Sequence, residues 1–215
     1  MPSFSEMDKQ EIILNAAMDL FSQKGFEGTS VREIAAHARV NPAMISYYFE
    51  SKEKMLEKLV ERRAGYLSGV FEELVRNTSL TRTEKLNVVI DSYVERMFSS
   101  PRFMHILHRE LSLEKREKLK EAISDVLLKN FDAAKSIIED GVASGEFNQV
   151  DAELTMVTII GTINHMFSSE IMCRKILNKN KDFNPYKSKM LKERLKDHLK
   201  QMIDTYLVKK PVKKK

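Results

Sequence analysis

The side chains of this chain that are capable of catalysis or metal binding form no diagnostic pattern. His105 and His108 are spaced to share a helix face, but no third ligand follows at a diagnostic spacing, so surface or packing histidines are favoured over a metal site. Cys173 is the only cysteine, which excludes an intrachain disulfide and favours a small buried residue over a reactive thiol. The sequence contains no glycine-rich phosphate loop and no GxSxG string. We therefore expect no catalytic residues, no metal and no cofactor.

A second set of side chains is suited to contacting a partner. Ile45 and Phe49 are separated by one helical turn, and Val40 precedes them, which gives the segment from Pro42 to Phe49 a single apolar face. The other positions of this predicted helix then point outward. They form a row of small, hydroxyl and aromatic side chains, Ala43, Met44, Ser46 and Tyr47.

Three helices are predicted to position this row. Apolar residues in 8–24 follow helical spacing, and Gly25 stands where a helix ends. Ser30 and Glu33 form a capping box that starts a second helix, and Asn41-Pro42 supplies an N-cap and a first-turn proline for the third. Two helices of about eight residues joined by a short turn describe a helix-turn-helix.

The rest of the chain is also predicted to be helical. Ser51 caps a fourth helix that begins at Lys52 and ends near residue 76. Seven Gly and five Pro are too few for the many reversals of an all-β fold. No apolar run approaches the roughly 18 residues that a transmembrane helix needs. Further helices are predicted at 83–99, 102–113, 116–143, 151–177 and 187–208.

The net charge does not by itself indicate a nucleic-acid partner. The total is +5, but the last seven residues, KKPVKKK, hold five lysines, so the remainder is neutral (5 − 5 = 0). Residues 1–55 contain six Lys or Arg and eight Asp or Glu, a formal charge of −2 (6 − 8). The tail is expected to be solvated, with non-specific phosphate affinity as the alternative. Any argument for nucleic-acid binding must therefore come from local placement.

One long segment resembles a known family. Residues 13–56, ILNAAMDLFSQKGFEGTSVREIAAHARVNPAMISYYFESKEKML, resemble the N-terminal DNA-binding domain of TetR-family bacterial transcription regulators. The shared elements occur in order: an Ala-Ala-x-x-Leu-Phe helix, a Gly-Phe link, Thr-Ser-Val-Arg-Glu-Ile-Ala, and Ile-Ser-Tyr-Tyr-Phe followed by Ser-Lys. One position departs from the family, which commonly has Gly where this chain has Arg39, a turn position that can require a left-handed backbone.

The resemblance implies an all-α homodimer. In this fold an N-terminal three-helix helix-turn-helix domain that binds DNA is linked by a long helix to a C-terminal helical domain for ligand binding and dimerisation. The implied ranges are 1–51 for DNA binding, 52–208 for effector binding and dimerisation, and 209–215 for a lysine-rich disordered tail. The homodimer is expected to form through about 151–177 and 187–208, and periodicity alone leaves core packing open for these helices. The stripe of the first helix has a small residue at its centre and consists of Leu154, Val157, Thr158, Gly161, Thr162, His165 and Met166. The stripe of the second consists of Leu191, Leu195, Leu199, Met202 and Tyr206.

The implied partner is a double-stranded DNA operator. The outward row offers apolar contact with thymine methyls and hydroxyl hydrogen bonds, but it has no Arg, Asn or Gln for bidentate purine contacts. Arg32 matches a position that contacts DNA in similar family members and is the candidate for a guanine. Phosphate contacts are expected from Tyr48, from Lys52, from the Thr29 hydroxyl and from the N-termini of helices two and four. The alternative for Tyr48 is a half-buried packing residue, and the alternative for Lys52 is an ordinary solvated charge. The expected DNA-binding residues are Thr29, Ser30, Arg32, Asn41, Pro42, Ala43, Met44, Ser46, Tyr47, Tyr48 and Lys52.

The resemblance also implies a small effector bound by the second domain, and the residues suggest an apolar one. Ordinary core packing is the alternative for each pocket candidate. The start of the chain lacks a secretory signal, so we expect a cytoplasmic homodimeric repressor with no membrane partner, released by the effector. The alternative is a DNA-binding protein of chromosome or division control that is regulated by a protein partner without an inducer. The pocket candidates are Tyr93, Met97, Phe103, Leu107, Phe131, His165 and Met166.

Overall fold

The computed structural model describes residues 4–209, which are helical apart from short links and one isolated bridge between Phe147 and Val208. The predicted all-α class is confirmed. The predicted disordered tail lies outside the described residues from position 210 onward. The helices are α1 (Phe4–Lys24), α2 (Val31–Ala38), α3 (Pro42–Phe49), α4 (Lys52–Arg76), α5 (Arg82–Ser99), α6 (Pro101–Ser112), α7 (Glu117–Ala143), α8 (Ala152–Phe167), α9 (Glu170–Ile176) and α10 (Lys189–Leu207).

The predicted helix over 151–177 is two helices in the structure. Helix α8 ends at Phe167, and the Ser169 side chain accepts a hydrogen bond from the Met172 backbone N–H at 3.4 Å, which starts α9. A serine oxygen at this position satisfies a free N–H of the first turn, so a new helix can begin without continuing the old one. The last helix likewise begins later than predicted, because Ser188 caps it after a short 3-10 turn, Pro185–Lys187.

The contacts divide the chain into two compact units. Unit 1 comprises Met1–Tyr66 and Arg102–Leu127, and unit 2 comprises Leu67–Pro101 and Leu128–Lys215. This division does not coincide with the predicted boundary after residue 51. The reason is that the first part of α4 and most of α6 pack with the N-terminal helices in one apolar core.

The core of unit 1 fixes α2 and α3 on a support of longer helices. Apolar side chains of α1, α2, α3, α4 and α6 meet in this core and are buried. Burying an apolar side chain of this size stabilises the fold by about 1.5–3 kcal/mol, so these contacts rather than helix propensity hold two eight-residue helices in place. Representative members are Leu14, Phe21, Ile34, Ile45, Phe49, Leu56, Leu59 and Ile106.

Unit 2 is built around α5, which packs against α8 and α10. The Lys196 ammonium lies 2.6 Å from a carboxylate oxygen of Glu95, and Lys200 lies 2.7 Å from Asp91, so ion pairs flank the α5–α10 contact. Cys173 is buried, as its residue type predicted, and burial raises the pKa of its thiol. None of the helices between residues 4 and 209 has the length and apolar content needed to span a bilayer.

Candidate nucleic-acid interface

The start of α2 has the predicted capping box. The Glu33 N–H donates to the Ser30 hydroxyl oxygen at 3.2 Å, and the Ser30 N–H donates to the Glu33 carboxylate at 2.8 Å. The hydrogen bond from Lys24, together with those from Ser30, lowers the pKa of Glu33 to about 2. Because the Ser30 hydroxyl also donates to Glu33, the donors of Ser30 are used within the cap. The capping role predicted for Ser30 is thus confirmed, its donors are not free for a phosphate, and its expected contact with DNA stays a prediction.

The turn between α2 and α3 has left-handed backbone at Arg39, with φ 56° and ψ 42°. This confirms the expectation drawn from the family's usual glycine. The Val40 N–H donates to the Ala35 carbonyl at 3.0 Å, and Arg39 donates to Ala36 at 3.2 Å, which is the hydrogen-bond pattern of a Schellman cap. The Asn41 side chain then accepts from the Ala43 N–H at 2.9 Å and begins α3 as predicted.

The outward row of α3 is accessible. Ile45 and Phe49 are buried, whereas Ala43, Ser46 and Tyr47 are exposed, and Met44 is half-buried. The Tyr47 side chain is 76% exposed, which is a high exposure for a large aromatic residue. Its ring lies edge-on to that of Tyr48 at 5.0 Å. Small, hydroxyl and aromatic groups are thus presented together, and their contacts with DNA bases stay a prediction.

Two expected phosphate-binding side chains point inward. Thr29 is only 1% exposed, and its hydroxyl donates to the Gly25 carbonyl at 2.8 Å, so the prediction of a free hydroxyl was wrong. The Lys52 ammonium donates to the carbonyls of Phe26 and Thr29 at 2.8 and 2.9 Å. Both residues therefore hold the link between α1 and α2. Tyr48 is half-buried against the unit 1 core, which favours the packing alternative for its ring.

A cluster around Phe26 was missing from the sequence-based expectations. The Lys52 ammonium lies 4.2 Å from the centroid of the Phe26 ring, and the Arg116 guanidinium carbon lies 4.6 Å from it. Arg116 also pairs with Glu27 and with Glu110, whose side chain is 3% exposed. Cations over an aromatic ring are attracted by its quadrupole. The cluster therefore joins the α6–α7 turn to the α1–α2 link inside unit 1.

Most cations of α1 and α4, the helices that flank the helix-turn-helix, are already paired. Lys24 lies 2.6 Å from Glu33, Lys54 lies 2.7 Å from Glu57, and Lys58 is similarly paired with Glu61. Arg32 is exposed, and it forms no hydrogen bond or ion pair with any side chain described between residues 9 and 209. Its guanidinium is consequently free for the predicted contact with DNA, which stays a prediction.

Comparison with known proteins identifies the family. The family model described as bacterial regulatory proteins, tetR family, matches residues 13–59, and the tetracyclin repressor-like C-terminal domain matches residues 79–168. A probable HTH-type transcriptional regulator of Bacillus subtilis (strain 168), YttP, is 36% identical over 146 residues, covering 66% of this chain and 69% of the relative. The chain belongs to the TetR family. It is a DNA-binding transcription regulator and not an enzyme.

Other proteins similar to this TetR-family chain are named for fatty acid metabolism or carry a fatty acyl ligand. The fatty acid metabolism regulator protein of Bacillus subtilis (strain 168) is 27% identical over 161 residues, covering 74% of this chain and 82% of the relative. The crystal structure of FadR from Bacillus subtilis in complex with stearoyl-CoA has a TM-score of 0.72 at 23% identity, covering 90% of this chain and 96% of that one. A putative fatty acid metabolism regulator of Clostridium perfringens has a TM-score of 0.74 at 18% identity, covering 93% of this chain and 100% of that one. The two structural likenesses show a shared fold.

The predicted effector pocket of this TetR-family chain is divided by the structure. Phe103 and Leu107 are buried in the core of unit 1, because α6 turns its apolar face toward the N-terminal helices. In unit 2 the His165 side chain is exposed on α8, so it is not enclosed with the other candidates, and its place in a pocket stays a prediction. The candidates that remain together in unit 2 and are buried or half-buried are Tyr93, Met97, Phe131 and Met166.

The two predicted dimer stripes differ in their burial. On α8, Leu154 is 64% exposed and Val157 is also exposed, so much of this stripe has no cover in the described chain. On α10 the predicted dimer stripe was wrong for its leucines, which are buried inside unit 2. Of this stripe, only Met202 and Tyr206 reach the surface. Core packing, the alternative left open by periodicity, applies to those leucines. Leu154, Thr158, Met202 and Tyr206 are among the residues that line a groove between α8 and α10.

Proposed function

We propose that this TetR-family protein is a cytoplasmic homodimeric repressor that binds an operator through α3 and leaves it when an apolar small molecule binds unit 2. The observation that carries the DNA-binding part is the exposed row of Ala43, Ser46 and Tyr47 on a capped eight-residue helix. A helix presented in this way fits the major groove, where base edges differ between all four base pairs.

The chemistry of the row supports an operator recognised largely through thymine methyls and single hydrogen bonds. The Ala43 methyl offers apolar contact, and the hydroxyls of Ser46 and Tyr47 both donate and accept hydrogen bonds. The free guanidinium of Arg32 supplies the bidentate donor that the row lacks, which suits a guanine at the edge of the half-site. The half-sites are expected to be rich in A·T pairs with few guanines.

Dimerisation is supported by the exposed apolar face of α8 and the adjoining edge of α10. Leu154 and Val157 stand on α8, and Tyr206, 55% exposed, stands on α10. Contiguous apolar surface of this kind marks an interaction site, and burying it against a second copy removes it from water. Two copies would present two α3 helices to one duplex, so each operator should contain two related half-sites.

An apolar effector is supported by unit 2 and by two relatives. Tyr93 and Phe71 pack in unit 2 with ring centroids 5.5 Å apart, beside the buried Met97 on the same helix as Tyr93. Burial also raises the pKa of the Tyr93 hydroxyl, so it stays neutral at physiological pH. FadR carries stearoyl-CoA in its crystal structure, and a relative is named for fatty acid metabolism. A long acyl chain is therefore the apolar group to test, supplied as an acyl-CoA because that is the form bound in the FadR structure.

The repressor role is tested by selecting genomic fragments that bind the purified protein, then adding stearoyl-CoA to the complexes. We expect recovered fragments to lie at promoters and to dissociate when the acyl-CoA is added, with coenzyme A alone as the control. The effector class would be rejected if the promoter fragments stayed bound with every acyl-CoA. The repressor role would still hold if transcription from those promoters rose when the gene for this protein was deleted. Sequence-specific complexes that ignore acyl-CoA and dissociate with a purified protein partner would favour the alternative of protein-regulated binding.

A further inference from the structure

A few cations of the N-terminal helices and of the α2–α3 turn remain without a partner among the described residues. Of the Lys and Arg residues from position 9 to 59, the structure ties Lys24, Lys54 and Lys58 to carboxylates and Lys52 to two carbonyls. Within the described part of the chain this leaves three without a hydrogen bond or ion pair. They are Lys9, Arg32 and Arg39.

Arg39 occupies a backbone position that does not favour arginine. It is the residue after α2 in a Schellman cap, with φ 56°, where glycine avoids the contact between Cβ and the following carbonyl. The two cap hydrogen bonds, from Arg39 to Ala36 and from Val40 to Ala35, are made by backbone groups and would form with glycine as well. The turn itself therefore gains nothing from the arginine side chain, which is exposed.

The position of the turn gives the side chain a target. In a helix-turn-helix the first helix crosses the DNA backbone and the second enters the major groove from its N-terminal end, so the turn between them borders the phosphates. Arg39 precedes the α3 cap, Asn41, by two residues. Guanidinium groups bind phosphate oxygens through two parallel hydrogen bonds.

We propose that Arg39 is a phosphate anchor of the DNA complex, placed at the edge of the groove by the left-handed turn. It adds to the proposed function a contact that positions α3 without reading bases. Helix α3 carries no charged side chain, and the nearby Lys52 is turned inward, so Arg39 supplies a large share of the phosphate neutralisation near α3. Its contribution should thus be independent of DNA sequence and strongly dependent on salt.

The test compares three substitutions at this position on the full-length protein. Arg39→Gly removes the charge and the backbone strain, Arg39→Gln removes the charge and keeps the strain, and Arg39→Lys keeps both. Binding is measured by fluorescence anisotropy with a labelled mixed-sequence duplex of about 30 base pairs over a series of KCl concentrations, which needs no knowledge of the operator. Thermal unfolding is recorded for each variant in parallel.

We expect Arg39→Gly and Arg39→Gln each to lose roughly tenfold in affinity and about one unit per bound subunit in the slope of log K against log salt. Arg39→Lys should retain the slope. Arg39→Gly should nevertheless unfold at a higher temperature than the original protein, because its backbone is relaxed. A gain in stability together with a loss of binding is not expected of a purely structural residue.

Several results would overturn the proposal. Unchanged affinity and slope in Arg39→Gly would make the side chain an ordinary solvated cation. A loss in Arg39→Gly with retained binding in Arg39→Gln would assign the effect to turn geometry instead of charge. A fall in the salt slope of Arg39→Lys as large as that of Arg39→Gln would show that the charge at this position does not contact phosphate. If the original protein binds no duplex at any salt concentration, the DNA-binding function fails, and the anchor fails with it.

Discussion

Helices α3 and α8 each leave a row of side chains uncovered, but the two rows differ in chemistry. On α3 the exposed residues are short, hydroxyl-bearing or phenolic, and an arginine precedes the helix. On α8 the exposed residues include Leu154 and Val157, which have no polar atoms in their side chains. A surface that meets the wet, charged groove of DNA needs hydrogen-bonding groups and cations, whereas a surface that meets a second copy gains from apolar burial. Chemistry rather than exposure therefore separates the two surfaces.

The largest expected effect is on the apolar surface. In the double variant Leu154→Arg/Val157→Arg, two charges replace apolar groups that dimerisation would have to bury, so the protein should become a monomer. Loss of the second α3 should then lower operator affinity by about a hundredfold or more. Sedimentation gives the mass, and Leu128→Arg on α7, where the leucine is also 50% exposed, is the matched control. A double variant that remains a dimer would place the interface elsewhere.

The second prediction concerns the support beneath α3. Arg116→Met removes the cation that faces the buried Glu110, and leaving one partner of a buried pair uncompensated should lower the free energy of unfolding by about 3 kcal/mol. Urea unfolding measures the change, with Lys115→Met on the neighbouring exposed lysine as the control. A loss as small as that of the control would show that the Phe26 cluster does not stabilise the support beneath α3.

The third prediction separates structure from phosphate binding at Lys52. Because its donors are bonded to the Phe26 and Thr29 carbonyls, Lys52→Met should lower the free energy of unfolding by about 1–3 kcal/mol and weaken binding to all duplexes with little change in salt slope. Lys54→Met, which breaks an exposed pair with Glu57, is the control. A slope that falls by about one unit per subunit, without loss of stability, would restore the phosphate role expected from the sequence.

The smallest effect is pH-dependent. The pKa of Glu33 is lowered from 4.5 to about 2 by Lys24 and Ser30, so its stabilising contribution is complete above pH 4.5 and fades as the pH falls toward 2. Glu33→Ala should lower the urea midpoint at pH 7, and the difference from the original protein should shrink between pH 4.5 and 2. Gln23→Ala, an exposed change on α1, is expected to show no such trend. A constant difference across this range would reject the charged cap.

Local rules account for the parts of the interface that the sequence predicts correctly. The caps at Ser30 and Asn41 and the outward row of α3 depend on residues within one or two turns, and each has a sequence signature. The inward course of Lys52 depends on carbonyls more than 20 positions away, and the Arg116 contact with Phe26 spans a still longer separation. Such contacts have no spacing signature in a single sequence.

The stripes on α8 and α10 show a different limit of periodicity. Both have helical spacing of apolar residues, yet Leu154 is exposed and Leu195 is buried. The repeat of apolar residues identifies one face of a helix but not the neighbour that covers it. On α10 the leucines pack within unit 2, where α5 is the neighbouring helix, whereas much of the α8 face has no cover within the described chain. Only the tertiary arrangement distinguishes the two outcomes.

The central claim is that the side chains exposed on α3 read the bases. It is tested most directly by selecting bound duplexes from a random pool with the original protein, Tyr47→Ala and the control Tyr66→Ala, which removes a tyrosine of similar exposure, 72% against 76%, on α4. We predict that Tyr66→Ala recovers the same pair of half-sites as the original protein, and that Tyr47→Ala recovers half-sites with altered bases. Recovery of one identical motif at equal affinity by all three proteins would contradict the account.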